Sequence, residues 1–241
     1  MYIYIFLFFF FNCLYGNEQS LSSKGHLVVF AGISGSGKSS LTREIAKRSN
    51  AICFLEPEEK EWPDFVQKKQ FYGEFGSLMA IRSIRVHNLW NAWELRQNGN
   101  LVFVDTYYDK IHTYYIEKPG MEWLINPKDP YFHIAKQVFN ADHLILPNAD
   151  LIILIDVNYE DWIKMLTMRN RTKDSVDNFQ ENYAIARQYL FDAVRTLSLE
   201  KSIPFIIFHQ NFGNLDQQAD LLYELLKSKN LFLKPINRDF E

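Results

Sequence analysis

The residues Gly32-Ile33-Ser34-Gly35-Ser36-Gly37-Lys38-Ser39-Ser40 carry the clearest chemistry in this sequence. Their spacing, G-x-x-x-x-G-K-S, lets the glycines curl the backbone so that successive N–H groups point at phosphate oxygens. Lys38 would reach the β- and γ-phosphates, Ser39 would ligate Mg²⁺, and Ser40 would open the helix whose positive dipole end faces the anion. The flanks are those the motif needs. His26-Leu27-Val28-Val29-Phe30-Ala31 predicts a strand before it, and Leu41-Thr42-Arg43-Glu44-Ile45-Ala46 continues a helix after it. ATP with Mg²⁺ is the cofactor pair this pattern implies.

Acidic residues terminate three further apolar runs: Glu56 after Ala51–Leu55, Asp105 after Leu101–Val104, and Asp156 after Leu151–Ile155. In an open parallel sheet the ligand crevice lies beyond the carboxyl ends of the strands, so these are the positions to watch. Glu56, set just off its strand by Pro57, is placed to accept a hydroxyl proton. Asp105 suits the Mg²⁺ shell together with Ser39, directly or through water. Glu58, Glu59 and Glu61 read instead as a solvated charge run. Farther on, Arg169, Arg171 and Lys173 follow an amphipathic helix. They suit a lid that closes charge over a γ-phosphate, or else a basic helix end that complements its dipole. The aromatics Trp62, Phe65, Phe71, Tyr72 and Phe75 could stack on a planar base, or equally form core.

Positioning these groups takes alternating strands and helices. The runs above, with Phe205–Phe208, predict five strands buried on both faces, and Gly76–Gln97, Phe179–Glu200 and Leu215–Lys227 read as helices between and after them. The expected fold is α/β: three layers, α/β/α, around a five-stranded parallel sheet, with an Arg-bearing lid, in one domain over residues 25–241. Residues 1–24 are a separate apolar extension. Its greasy stretch of about fifteen residues is short of the roughly 20 needed to span a bilayer. It lacks an early Lys or Arg and has a mediocre cleavage site, so a signal peptide with export and a start preceding the true one both stay open. The location otherwise expected is cytoplasmic, with no stable membrane span. With 26 Lys plus Arg against 29 Asp plus Glu, the net charge of −3 gives no field for nucleic acid. Two cysteines cannot staple a framework, and no Cys/His cluster has zinc spacing. The load of 20 Phe, 13 Tyr and 5 Trp is the compositional oddity, and eight of these aromatics fall in the first fifteen residues.

From about Leu27 to Phe208 the chain resembles the deoxyribonucleoside kinases, relatives of the thymidylate kinases. Gly32–Ser39 is the P-loop, and Glu56-Pro57 with Trp62 is similar to the E-P-x-x-x-W signature. Asp105 falls where a D/E-R-S motif begins, and Arg169-Asn170-Arg171 resembles the lid. The resemblance implies ATP-dependent phosphorylation of a nucleoside 5′-hydroxyl with Glu56 as base, Lys38, Arg169 and Arg171 as phosphate charges, and a homodimer. Trp62, Phe75, Arg82, Arg85 and Asp105 are the expected neighbours of the acceptor. Two departures stand out: Thr106 replaces the family's arginine, and Gly76 falls at its base-reading glutamine. A thymidylate-kinase-like nucleotide kinase and a non-catalytic ATP-binding module are the alternatives.

Overall fold

Apolar runs become strands here because helices cover both faces of the sheet they build. The computed structural model describes residues 25–67, 71, 73–122, 124–169 and 182–229. Strands β1 (His26–Ala31), β2 (Ile52–Phe54), β3 (Leu101–Asp105), β4 (Leu151–Val157) and β5 (Phe205–Gln210) form one sheet in the order β2-β3-β1-β4-β5. Every neighbouring pair is parallel. The helices are α1 (Lys38–Ser49), α2 (Asp64–Gln67), α3 (Glu74–Gln97), α4 (Tyr108–Ile111), α5 (Phe132–Ile145), α6 (Tyr159–Arg169), α7 (Tyr183–Lys201) and α8 (Leu215–Ser228). The apolar extension over residues 1–24 lies outside the described residues, as do Tyr72, Arg171 and Lys173.

Successive residues of β1 point to opposite faces, and each face meets its own helix layer. Leu27, Val29 and Ala31 join one buried cluster with Leu89 and Ala92 of α3, Ala135 and Phe139 of α5, and Leu190, Val194 and Leu197 of α7. Val28 and Phe30 join the other with Leu41 and Ile45 of α1 and Leu222 and Leu226 of α8. The result is the expected three-layer α/β/α arrangement. Strand β4 is buried throughout, and β1 and β3 are buried from their second residue on. Strand β5, at the sheet's edge, exposes Ile207, and β2 at the other edge exposes Ile52.

Two helices differ from the expected boundaries. Helix α3 starts at Glu74, two residues before Gly76, and the described part of α7 starts at Tyr183 rather than Phe179. Helix α5 was not anticipated. Its buried side Ala135, Phe139 and Asp142 follows helical spacing, but the polar Asp142 interrupts the apolar reading, because it is buried as the partner of Arg82 on α3. Register sets the site: Asp105 pairs with Phe30, so β3 delivers its last residue beside the start of the P-loop.

Candidate active site

The P-loop leaves β1 and enters α1 without a side-chain cap at Gly37. The first N–H groups of α1 therefore have no capping side chain and face the position a phosphate would take. Gly35 and Gly37 adopt φ of 78° and 77°, a region that disfavours any other residue. A Cβ on Gly37 would lie 2.5 Å from Gln210 Nε2, and one on Gly35 would lie 2.4 Å from Leu166 Cδ2. Beneath the loop, Gly32 has room for no Cβ next to the buried Ser36 hydroxyl, which would be 2.8 Å away. Lys38 reaches back to the Ile33 carbonyl at 2.9 Å. Helix α6 braces the loop from above. Trp162 donates its indole N–H to the Ser34 carbonyl at 2.7 Å, and Arg169 reaches the Ser34 hydroxyl at 3.2 Å.

A cleft of about 1150 Å³ opens over this loop. Ile33, Ser34, Gly35, Gly37, Lys38, Ser39 and Ser40 line it, with Arg169, Glu56, Trp62 and Arg85. Phe212 and Gly213, beyond β5, also line it, as do Tyr108, His112, Tyr115, Met121 and Leu124. The β5 residues, this aromatic wall and Arg43 at the P-loop helix were absent from the sequence reading.

Asp105 is 2% exposed, and neither carboxylate oxygen has a hydrogen-bond donor in bonding geometry. Burial pushes its carboxyl above the usual range; Lys38 and Ser39 pull the other way without winning. A buried carboxylate with open oxygens beside a serine hydroxyl fits a hard cation such as Mg²⁺, which keeps most of its shell in water and phosphate oxygens. Among the described residues no group of three or more His, Cys, Asp or Glu could hold a metal alone.

Also in the cleft lining, Arg85 of α3 is 8% exposed and shared by two carboxylates. Its Nη1 lies 3.1 Å from Glu56 Oε1, while Nε and Nη2 grip Asp109 at 2.7 and 2.9 Å. Burial opposes the Arg85 charge, but Asp109 and Glu56 outweigh it and hold its pKa above the ordinary value. Burial likewise opposes the Asp109 carboxylate, and the Arg85 charge and hydrogen bonds outweigh that and hold its pKa low. Behind them His112 is buried, and desolvation lowers its pKa to about 3, so the imidazole is neutral. Asp109 could have been found from its place four residues beyond the strand-end acid Asp105.

Other expectations are corrected. Arg82 does not reach the cleft; Asp142 binds it through both oxygens, Nε lying 2.5 Å from Oδ2, and the pair fastens α3 to α5. Phe75 stacks on Tyr131, centroids 5.2 Å apart, and packs on the core outside the cleft lining. Phe71 is 77% exposed and also outside that lining. Trp62 alone of the aromatics weighed for stacking lines the cleft among the described side chains, its indole N–H held by the Pro57 carbonyl. Thr106 is buried and turns its hydroxyl to the Phe30 carbonyl, so it does not stand in for an arginine. Gly76 has open space around its missing Cβ. Asp156 lies outside the cleft lining, and Arg187 holds it at 2.6 and 2.8 Å.

No family model matches the chain, and no curated protein matches its sequence. Solved structures do share the fold. Thymidylate kinase from Candida albicans superposes with a TM-score of 0.58 at 16% identity, covering 87% of this chain and 94% of that one. Deoxyadenosine kinase from M. mycoides with bound dCTP gives 0.57 at 18% identity, covering 84% and 99%; with bound dATP it gives 0.55 at 22%, covering 83% and 99%. The chain has the fold of the P-loop deoxynucleoside and nucleotide kinases.

Proposed function

We propose that, on this fold, the protein transfers the γ-phosphoryl group of ATP to the 5′-hydroxyl of a nucleoside. The observation that carries the reading is the meeting of Glu56 with the P-loop across one cleft while Arg82 and Arg85 are both engaged by carboxylates. A neutral hydroxyl needs a base to take its proton. A monophosphate acceptor is already ionised and needs free guanidinium groups to hold it. This acceptor wall offers the base, and carboxylates already engage both arginines.

The chemistry follows from the placement of each group. Glu56 takes the hydroxyl proton as the acceptor oxygen attacks the γ-phosphorus in line, and the bond to the β,γ-bridging oxygen breaks to release ADP. Arg85 orients the Glu56 carboxylate. Lys38 and the N–H groups of the P-loop hold the triphosphate, with Arg169 beside Ser34 adding charge at its γ end. Ser39 and Asp105 would hold Mg²⁺, which neutralises phosphate charge when bound. Arg85, held by the buried Asp109, lines the cleft with Trp62 and Tyr115, and these side chains offer polar and planar surfaces for a nucleobase. Arg171 belongs to the proposed lid and lies outside the described residues.

A coupled assay of ADP release tests the reading with deoxynucleosides, ribonucleosides and nucleoside monophosphates as acceptors. Turnover of a nucleoside, with monophosphates idle, supports it. Turnover of a monophosphate selects the nucleotide-kinase alternative, and binding of Mg·ATP without turnover over the whole panel selects a non-catalytic module.

A further inference from the structure

Tyr108 sits where the ATP side and the acceptor side of the cleft meet. Its hydroxyl donates a hydrogen bond to the carbonyl of Gly32, the first residue of the P-loop. The same ring lies 5.3 Å from Lys38 Nζ and 5.8 Å from the Arg85 guanidinium carbon, within cation–π reach of both. It also stacks on His112, with centroids 5.9 Å apart and planes 19° from parallel. His112 packs in turn on Phe139 of the core, so the ring has a fixed backing. The phenol's free surface lines the cleft.

Tyr107 provides the contrast. It is fully buried, donates to the Pro147 carbonyl, accepts from the Ala149 N–H, and has no place in the cleft lining. One tyrosine of the pair is packing, and the other joins the two halves of the site. Burial holds the Tyr108 phenol well above its ordinary pKa, so it remains a donor to Gly32 across the neutral range.

We propose that Tyr108 is a positioning residue for phosphotransfer: it ties the P-loop entrance to the acceptor wall and fixes Lys38 relative to the Arg85–Glu56 pair. The acceptor half of this statement rests on the function proposed above; the grip on Lys38 concerns the ATP side alone. The hydroxyl and the ring have separable jobs. Without the hydroxyl the Gly32 carbonyl loses its donor and the loop is free to shift against the acceptor wall. Without the ring Lys38 also loses its aromatic neighbour.

Tyr108→Phe and Tyr108→Leu are compared with the wild type by calorimetric titration with Mg²⁺ and a non-hydrolysable ATP analogue, by steady-state kinetics with the best nucleoside, and by thermal melting. Tyr108→Phe should bind the analogue within about twofold of wild type and keep the acceptor KM, while kcat falls about five- to tenfold. Tyr108→Leu should in addition weaken analogue binding about three- to tenfold with little change in melting temperature. The proposal is overturned by a Tyr108→Phe variant with wild-type kcat, by a Tyr108→Leu variant with wild-type analogue affinity, or by binding losses that merely track a lowered melting temperature. A wild-type protein that binds the analogue but phosphorylates no nucleoside overturns the proposed function instead; the Tyr108→Leu titration then still decides this inference.

Discussion

At the scale of single residues the site depends on two carboxylates in unlike surroundings. Glu56 is half-buried at the cleft wall and oriented by Arg85, whereas Asp105 lies deep with no donor of its own. Glu56→Gln keeps the shape and removes the proposed base. It should lower kcat by about 10²- to 10⁴-fold and leave Mg·ATP affinity unchanged, as steady-state kinetics with parallel calorimetry will show. Asp105 behaves differently because its folded-state pKa is raised by burial. Ionising Asp105 in the fold buries a charge that the unfolded chain would solvate, so this carboxyl costs stability as the pH rises above the unfolded value. Asp105→Asn should therefore raise the melting temperature of the nucleotide-free protein, by about 2–4 °C for each kcal/mol relieved, while abolishing Mg²⁺-dependent turnover. Both acids are legible in the sequence, since each ends an apolar run. Their partners are not: the bond from Arg85 to Asp109 joins α3 to α4 across β3, and no local pattern marks it. Arg82 shows the same limit in reverse. It stands one turn from Arg85 on α3, yet its position at that point of the helix turns it to Asp142.

At the scale of elements, the P-loop is held in shape by its neighbours as much as by its own glycines. Gly37→Ala would force a side chain onto φ of 77° and into Gln210 at the end of β5. The backbone strain costs about 1–2 kcal/mol, and the variant should lose Mg·ATP binding in a calorimetric titration. Adding Gln210→Ala clears the collision but leaves the strain, so the double variant should recover stability only in part. The 3₁₀ turn after α4 makes a prediction about pH. His112 is neutral in the fold, its pKa lowered to about 3, whereas in the unfolded chain it protonates near its ordinary 6.5. Between those values the unfolded state binds the extra proton, so the stability of the fold falls as the pH drops through this window, by up to about 1.4 kcal/mol per pH unit. Denaturant unfolding from pH 4 to 7 should show that extra acid sensitivity in the wild type and its absence in His112→Gln. Strands and the P-loop were readable because apolar runs and glycine spacing are local signals. The aromatic wall was not, because Tyr108, His112 and Tyr115 enter the cleft only once the turn after β3 folds back over α5.

The whole molecule is a parallel sheet whose order, β2-β3-β1-β4-β5, places Glu56 and Asp105 on one side of the P-loop, with the cleft opening over that loop. That much was legible from alternating apolar and helical segments and from the position of the acids. Of the aromatic excess, the stretch from Trp62 to Phe75 was legible as a candidate stacking group, and of its described side chains only Trp62 lines the cleft. The cleft-lining aromatics, Trp62, Tyr108, Tyr115, Trp162, Tyr183, Tyr189 and Phe212, are spread over the chain and converge through the fold. No helix among the described residues is long and apolar enough to cross a membrane. The central claim is that this cleft moves phosphate from ATP to a neutral nucleoside, and the most direct test follows the labelled phosphate itself. With γ-labelled ATP and a mixture of nucleosides, the account predicts label in a nucleoside 5′-monophosphate, lost in Lys38→Ala and strongly reduced in Glu56→Gln. Label appearing only in a nucleoside diphosphate when monophosphates are supplied, or transfer to a nucleoside undiminished in Glu56→Gln, would contradict it.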